Sequence, residues 1–331
     1  MRSVRRLFAL AVLGALAAAA GLGWFSLRPL EPPRSPFDFT VKSGASLKTV
    51  ARNLADEGLL AEPYAFWILG RVLGKAGSLH AGTYRIAAPL TPLELLDKLA
   101  SGDVLPVEIA FVEGTTFRQW LAQLEAHPQV RSTLHGLDEA GIRAALGVRE
   151  ASLEGLFFPD TYRFHAGSTD AEILKRAYAE MAKRLARAWE ARDPALPLAN
   201  AYEALILASI IEKETGQSGE RPTIGSVFVN RLRMPMRLQT DPTVIYGLGE
   251  RFDGNLRKRD LQADTPWNTY TRDGLPPTPI AMPGEASIAA ATNPAATDYL
   301  YFVGRGDGSH QFSRTLEEHN RAVARYQLGK S

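Results

Sequence analysis

Three segments in the first part of the chain repeat one pattern of hydrophobic and polar positions. Each begins with a short run rich in β-branched and aromatic residues, passes through a turn, and ends with leucines or similar residues at helical spacing. The segments are FTVKSGASLKTVARNLADEGLL (39–60), YRIAAPLTPLELLDKLASG (84–102) and IAFVEGTTFRQWLAQLEA (109–126). The pattern predicts a strand followed by a helix in each segment, and therefore an α+β fold.

Two of these helices carry a capping box at their predicted start. Thr91 is followed by a proline at the first helical position and by Glu94 three residues on, and Thr116 is followed by Gln119 at the same distance. The first segment, VKSGASLKTVARNL, also resembles a LysM module, a small sugar-binding fold. We therefore expect a LysM-like domain over residues 37–106.

The rest of the chain is predicted to contain a mainly helical region followed by a turn-rich region. Residues 127–200 are expected to be mainly helical, with an amphipathic stretch over 170–192 and an irregular aromatic segment at 153–164. From Asn230 onward the sequence is turn-rich, and such long loops in a compact domain are usually functional. Residues 299–313 predict a β-hairpin, and a last helix follows from Thr315 to about Gln327.

The N-terminus predicts a membrane segment. Arg2, Arg5 and Arg6 precede residues 7–27, which carry no charge and would span ~30 Å as a helix. A cleaved signal peptide is the alternative, but the run is long for a signal, and Trp24 lies where an interfacial anchor would. The arginines place residues 1–6 in the cytoplasm and the rest outside it. Residues 28–36 are rich in proline and predict a stiff linker.

Composition excludes several functions. The 331 residues carry a formal net charge of +2, which gives no basic field for nucleic acid, and there is no cysteine for disulfides or thiolate chemistry. The six histidines are scattered without metal-ligand spacing, so no metal site is expected. No phosphate loop, dinucleotide fingerprint or nucleophile elbow is present, and no cofactor is expected.

The candidate chemistry lies at the end of an apolar stretch that begins at Ala201. On a helical wheel, Glu214 falls in the middle of the strongest apolar face, whereas Glu212 falls beside Ser209 and Leu205 on the side expected to face solvent. Burial and the negative end of the helix dipole both raise the pKa of a carboxyl group placed like Glu214, as a general acid requires. Alternatively, Glu214 pairs with a nearby arginine, Arg221 or Arg231, and only holds a loop.

A resemblance favours the first interpretation. The segment ASIIEKET (208–215) resembles the Glu-Ser signature of lytic transglycosylases and goose-type lysozymes, with Thr215 in place of the serine. Nearly the whole chain resembles the endolytic murein transglycosylase family, the MltG or YceG-like proteins. The matching motifs are AGTYRI, EGLFFPDTYRF, SIIEKET, SVFVNRLRMPMRLQTDPTVIYGLG, NTYTRDGLPPTPIAMPG and YLYFV.

The resemblance implies a peptidoglycan lyase in which Glu214 is the catalytic residue and Glu212 is not. A hydrolytic muramidase needs a second carboxylate, for which Asp160, Glu154, Glu220 and Asp241 remain possible. The other motifs are expected to line a sugar cleft with aromatic rings, amides and hydroxyls. The expected substrate-binding residues are Thr215, Gln239, Thr240, Asp241, Tyr246, Asn268, Thr269, Tyr270, Glu154, Asp160 and Glu220.

We therefore expect a single-pass protein of the bacterial inner membrane with a catalytic domain over residues 107–331 on the periplasmic side. The expected reaction is non-hydrolytic cleavage between N-acetylmuramic acid and N-acetylglucosamine in nascent glycan strands, which leaves 1,6-anhydro ends and ends polymerisation. The expected partners are the glycan strands, the membrane and the peptidoglycan synthases (penicillin-binding proteins). The alternatives are a hydrolytic muramidase and a non-catalytic glycan-binding scaffold for those synthases.

Overall fold

A computed structural model describes residues 2–42 and 44–329, and the chain divides into two compact units. The small unit holds the residues up to Glu108 together with Arg163–Ser168, and the large unit holds Ile109–Tyr162 and Thr169 onward. Helices and strands both contribute to the fold, as the α+β class requires. The elements of the small unit are α1 (Arg2–Leu27), β1 (Phe37–Val41), α2 (Leu47–Asp56), α3 (Pro63–Val72), β2 (Gly82–Ile86) and α4 (Pro92–Ser101).

The large unit is mostly helical. Strands β3 (Val107–Ala110) and β4 (Thr161–Phe164) pair with each other, and the division between the units falls within both of them. The other elements are α5 (Phe117–Ala126), α6 (Glu139–Leu146), α7 (Asp170–Glu190), α8 (Ala201–Glu214), α9 (Arg221–Arg233), α10 (Asp241–Leu248), α11 (Lys258–Gln262), α12 (Glu285–Thr292), β5 (Tyr301–Gly304), β6 (His310–Ser313) and α13 (Leu316–Tyr326).

Strands β1 and β2 of the small unit pair antiparallel. Their register places Phe37 opposite Ile86 and Phe39 opposite Tyr84, and these alternate residues are all buried. This inward face packs on leucines of α2 and α4, including Leu54 and the 95–99 stretch. Period-two alternation on the strands and helical spacing on the helices thus meet in one core, as the repeated pattern predicts.

Helix α1 contains the apolar run at the N-terminus. Its span Phe8–Leu27 is the one helix in the described part of the chain that is long and apolar enough to cross a membrane, and almost none of it is buried. An exposed apolar helix of this length fits a membrane anchor. The last turn of α1 differs from the rest, because Phe25 is buried in the core of the small unit.

The segment after α1 was predicted to be a stiff linker, and its first residues are instead docked on the small unit. Leu30 is buried and exchanges backbone hydrogen bonds with Leu90, at N···O distances of 2.8 and 3.3 Å. Ser35 donates its hydroxyl to the carbonyl oxygen of Ala87. Apolar burial and backbone pairing therefore hold this segment against the domain that follows it.

Several predicted elements are confirmed. Strands β1, β2 and β3 are each followed by the predicted helix, and the capping boxes at Thr91 and Thr116 are both formed. The hairpin β5–β6 and the final helix are also present. Two short helices, α10 and α11, lie where only turns were predicted. Helix α10 begins beside a proline in its first turn, a position that proline favours.

Helix α8 lies at the centre of the large unit and is buried on all sides. Every residue from Ala204 to Ile211 is buried, and Leu205 and Ser209 have no exposed surface. The expectation that this side faces solvent is therefore wrong. Helix α12 and the segment before it cover the side, and the Ser209 hydroxyl accepts a hydrogen bond from the backbone N–H of Ile280 at 3.0 Å.

Candidate active site

Glu214 is the last residue of α8, and its side chain lines an open cleft of about 490 Å³ in the large unit. A cleft of this volume is in the range of ligand sites in proteins. One wall comes from the segment 238–241 and Tyr270, and the other from the β5–β6 hairpin and α13. The buried helix α8 thus ends with the carboxyl group of Glu214 at the polar cleft.

The surroundings of Glu214 favour its protonated form. Burial, together with the negative charge of Asp241, raises its pKa from the ordinary value of 4.5 to about 7. A hydrogen bond from Thr240 and the positive charge of Arg231 act in the opposite direction, but burial is the larger effect. The group therefore holds a proton near neutral pH and releases it readily, which general acid–base catalysis requires.

A network of threonines fixes the Glu214 carboxyl group. The Thr240 hydroxyl donates to Oε1 of Glu214, while the Thr240 N–H donates to the Thr269 hydroxyl at 3.1 Å. Thr243 lies 2.9 Å from the same Thr269 hydroxyl and donates to the Thr240 carbonyl oxygen. All three threonines are buried. Their short, stiff side chains leave the carboxyl group little freedom, so its orientation toward the cleft is set in advance.

Gln239 precedes this network and has a strained backbone. Its φ of 50° lies in the left-handed region, which costs a residue other than glycine about 1 kcal/mol or more. A hydrogen bond from its N–H to the Thr269 carbonyl oxygen holds it there. Strain of this kind persists where the surrounding structure imposes it, often at ligand sites, and Gln239 lines the cleft.

Asp241 and Tyr270 form a hydrogen-bonded pair in the same wall. The Tyr270 hydroxyl donates to Oδ1 of Asp241 at 2.6 Å, and burial with this contact raises the pKa of the tyrosine. The pair presents a phenol ring and a carboxylate beside Glu214. The predicted residues that share the cleft with Glu214 are therefore Gln239, Thr240, Asp241 and Tyr270.

Neither arginine that was considered as a partner forms a salt bridge with Glu214. The buried guanidinium of Arg231 donates to backbone carbonyl oxygens, of Leu300 at 2.7 Å and of Leu238 at 2.6 Å. Arg231 therefore ties the β5 wall of the cleft to the 237–238 wall. Arg221 instead pairs with Glu212 at 3.0 Å. The alternative in which Glu214 only neutralises an arginine is wrong for this structure.

Glu212 was predicted on a solvent-facing side of α8, and that prediction is wrong. Its side chain is 5% exposed, and besides Arg221 it accepts a hydrogen bond from the Gly284 N–H at 2.9 Å. Arg221 also donates to the Ser287 hydroxyl at 3.0 Å. Glu212 is thus a buried, fully partnered carboxylate that joins α8 to the starts of α9 and α12.

Glu154 and Tyr246 lie in a second cleft, of about 320 Å³, away from the lining of the first. The Tyr246 hydroxyl donates to Oε2 of Glu154 at 3.2 Å, and the Phe117 N–H donates to Oε1 at 3.0 Å. Burial raises the pKa of Glu154 to about 7. The structure does not bring this pair together with Glu214.

Four further predicted residues stand outside the lining of the first cleft. Asn268 is fully buried and donates to carbonyl oxygens of the 260–263 turn, and Thr269 belongs to the threonine network. Thr215 is buried and accepts from the Gln217 N–H. Asp160 is exposed at the start of β4 and accepts from the Thr161 N–H. Asn268 and Thr215 shape the loops that bear the cleft residues.

The remaining predicted residue, Glu220, reaches the cleft through a residue that the sequence analysis missed. His310 lines the cleft and is hydrogen-bonded to Glu220. His319 and Tyr301, which stack with ring centroids 5.2 Å apart, line the same wall and were also missed. The hairpin was predicted, but no local pattern indicates that it folds against the end of α8.

The site has no evident metal-binding set. Within residues 2–42 and 44–329, no three histidine, aspartate or glutamate side chains lie together in a way that could hold a metal ion. The groups that the cleft offers to a ligand are one carboxyl of raised pKa, a carboxylate–phenol pair, an amide, aromatic rings and imidazoles. Such a set suits proton transfer to a polar, ring-containing substrate.

Comparison with known proteins gives consistent matches. The sequence matches the YceG-like family over residues 39–325. It is 31% identical over 323 residues to a protein of Bacillus subtilis named endolytic murein transglycosylase, covering 92% of this chain and 89% of that protein. A protein of Streptococcus pneumoniae with the same name is 25% identical over 360 residues, covering 96% of this chain and 65% of that protein.

A solved structure matches as well. A crystal structure of a yceG-like protein from Listeria monocytogenes superimposes with a TM-score of 0.57 and 29% sequence identity. The match covers 87% of this chain and 98% of the Listeria chain. Sequence and fold therefore point to the same group of proteins.

Proposed function

The chain belongs to the YceG-like family, and from this we propose that it is an endolytic murein transglycosylase, a lyase that cleaves peptidoglycan glycan strands internally. The observation that carries the proposal is the single carboxyl group of Glu214 at the end of buried α8, protonated near neutral pH and aimed into the cleft. The names of the relatives in Bacillus and Streptococcus support it.

Glu214 supplies the proton for cleavage in this proposal. Its carboxyl proton moves to the glycosidic oxygen that leaves C1 of N-acetylmuramic acid, and the C6 hydroxyl of the same sugar attacks C1. The C6 hydroxyl proton returns to the carboxylate, so no water is consumed and a 1,6-anhydro end forms. The raised pKa of Glu214 suits the first step, and the Thr240 hydrogen bond stabilises the carboxylate that results.

Glycan strands fit the polar character of the cleft. Gln239, Asp241 and Tyr270 supply an amide, a carboxylate and a phenol beside the acid, and Tyr301 adds an aromatic face. Sugars are bound by such combinations of ring faces and hydrogen-bonding groups. We therefore assign the substrate contacts first to these residues, and to Thr240 through its bond with Glu214.

A hydrolytic muramidase remains the second candidate because Asp241 shares the cleft with Glu214. Hydrolysis by two carboxylates would leave a reducing sugar end, whereas the proposed reaction leaves an anhydro end. The test is mass spectrometry of peptidoglycan digested by the full-length protein in detergent. We expect anhydro ends as the main product, and their absence from Glu214→Gln digests; mainly reducing ends would reject the lyase.

Glu190→Gln is the matched control for this digestion. Glu190 is the last residue of α7, as Glu214 is of α8, but it is exposed. We expect the Glu190 variant to give wild-type products. Bound glycan without any cleavage by the wild-type protein would instead favour the non-catalytic scaffold.

We further propose that α1 anchors the protein in the bacterial inner membrane, with Arg5 and Arg6 in the cytoplasm and the chain from Arg28 onward outside it. Docking of Leu30 on the small unit keeps this unit close to the membrane surface and so close to newly made glycan. On this basis the enzyme cuts nascent strands, ends their polymerisation and works beside the penicillin-binding proteins. A reporter that is active only in the periplasm should be active when fused after Ser331. An inactive reporter would contradict the proposed orientation of the protein in the membrane.

Residues 37–106 are proposed to form the LysM-like domain. The strand, glycine turn and helix of the resemblance correspond to β1, the turn at Gly44 and α2, and β2 closes on β1. Glycan binding by these residues can be tested by pull-down of the full-length protein on purified peptidoglycan. A charge reversal such as Lys42→Glu beside the small hollow between β1 and α2 should weaken binding; unchanged binding would limit the domain to a structural role.

A further inference from the structure

The cleft contains a second group that is held in position for proton transfer. His310, the first residue of β6, is bound by both carboxylate oxygens of Glu220, the N-cap residue of α9. Oε1 accepts from the His310 N–H at 3.0 Å, and Oε2 lies 2.7 Å from Nδ1. Since a carboxylate only accepts, Nδ1 carries a proton, and in the neutral form of this tautomer Nε2 keeps its lone pair.

The other ring nitrogen of His310 is free for a ligand. Among the described residues, Nε2 has no hydrogen-bond partner, although Nδ1 and the backbone N–H are both engaged. The ring meets Phe302 edge to face at 5.4 Å, and the side chain is only 14% exposed. His310 lines the same cleft as Glu214. A histidine that is oriented by a carboxylate and lines a cleft beside an acid is a recurrent arrangement in enzymes.

The proposed reaction has a role for such a base. As the bond from C1 to the leaving oxygen breaks, that oxygen gains a proton, and as C6–O bonds to C1, the C6 hydroxyl loses one. With Glu214 alone, one carboxyl group must give a proton and take one in the same event. Two groups on separate elements, α8 and β6, would each make one transfer.

We propose that His310 is the second proton-transfer group of this site and that Glu220 is its positioning residue. This inference rests on the proposed lyase function. Glu214 gives its proton to the leaving oxygen, and Nε2 of His310, in place of the Glu214 carboxylate, takes the proton of the C6 hydroxyl. The imidazolium then forms an ion pair with Glu220 and returns its proton to Glu214 through water in the cleft, so protons and bonds balance over one turnover.

The electrostatic surroundings of His310 are mixed. Apart from Glu220, the titratable and charged groups around the cleft are Glu214, Arg231, Asp241, Tyr270, Tyr301 and His319. Burial and the nearby Arg231 lower the pKa of His319, which favours its neutral form. The carboxylate of Glu220 is therefore the negative group in direct contact with the ring, and it stabilises the imidazolium that forms during the transfer.

The test is the dependence of kcat and kcat/KM on pH for the full-length protein in detergent. For the wild type we expect a bell-shaped profile, because the reaction needs an unprotonated base and a protonated acid, and the basic limb belongs to Glu214. His310→Asn can still donate to Glu220 but cannot take a proton. We expect it to lower kcat ~10²-fold or more, to abolish the acidic limb, and to keep the basic limb.

Two further variants and a product measurement distinguish a role of His310 in proton transfer from a purely structural role. His310→Gln carries an amide at the position of Nε2 and should show the same loss, which keeps the test valid if the asparagine variant unfolds. Glu220→Gln should lower kcat less than the histidine variants do, because the ring keeps its nitrogen but loses the carboxylate that orients it. Both histidine variants should release more water-derived reducing ends, because the C6 hydroxyl is no longer activated.

His135→Asn is the matched control, because His135 forms an exposed pair with Glu125 at 3.1 Å and should leave all parameters unchanged. The proposal is overturned if folded His310 variants keep both limbs, or if they raise only KM. Activity that survives in Glu214→Gln would instead reject Glu214 as the acid, and wild-type digests without anhydro ends would reject the proposed function itself, whatever the histidine variants show.

Discussion

Glu212 and Glu214 lie two residues apart on the last turn of one helix and have opposite environments. Glu212 is enclosed between α9 and α12, where a guanidinium and a backbone N–H neutralise it. Glu214 faces the cleft, where the described hydrogen-bond donor to its carboxyl group is the Thr240 hydroxyl. Burial alone raises a carboxyl pKa, and an adjacent cation removes that effect. Charge compensation, and not depth in the core, therefore distinguishes the surroundings of the two acids.

The largest expected effect is loss of catalysis without loss of fold. Glu214→Gln keeps the shape of the side chain but removes the proton, and general acid–base catalysis is typically worth ~10²–10⁴-fold in rate. Stability should hold or rise, because a buried group without a cationic partner becomes neutral. Cleavage rates and urea unfolding, measured on the same preparations with Glu190→Gln as control, would test this. A variant that is both inactive and unfolded would show that Glu214 holds the structure.

Glu212→Gln should give the reverse pattern. It leaves the buried Arg221 guanidinium without its counter-ion, and breaking a buried pair costs on the order of 3–5 kcal/mol. The free energy of unfolding should fall by that order, and the residual folded fraction should retain its activity. The double variant Glu212→Gln with Arg221→Gln should recover part of the loss. Equal stabilities of the single variant and the wild type would contradict the buried pair.

The surroundings of Glu214 also predict a pH dependence of stability. The folded-state pKa of Glu214, about 7, exceeds the ordinary 4.5, so the folded protein binds more protons than the unfolded chain between these values. Its contribution to stability therefore falls as pH rises through this window, by up to ~1.4 kcal/mol per pH unit, and is constant above it. The stability of the wild type minus that of Glu214→Gln, measured from pH 4 to 9, isolates this term from that of Glu154. A flat difference would mean that Glu214 is not shielded from water.

The smallest expected effect concerns Tyr246, which was predicted to bind substrate and lies with Glu154 in the second cleft. Tyr246→Phe removes one hydrogen bond to a buried carboxyl group, which costs ~1 kcal/mol of stability. We expect cleavage of glycan strands to proceed at the wild-type rate. A raised KM for long strands but not for short fragments would show instead that the glycan extends into this second cleft.

Sequence by itself determined the local structure and one half of the site. Strand alternation, helical spacing and capping residues located the repeated strand–helix segments, and the apolar face of α8 singled out Glu214, which lines the cleft. These features depend on residues within a few positions of one another, so a single sequence contains them. The neighbouring Glu212 was misplaced by the same wheel, because a helix that is buried all round has no solvent side.

Only the tertiary structure determines which polar and charged groups contact each other. Gly284 contacts Glu212 across 72 positions of the chain, and His310 contacts Glu220 across 90. The wall of the cleft formed by β5, β6 and α13 depends on where the hairpin packs, and hairpin signals contain no information about that. Because pKa values and hydrogen-bond partners depend on distances through space, the reactive state of Glu214 and the orientation of His310 exist only in the folded chain.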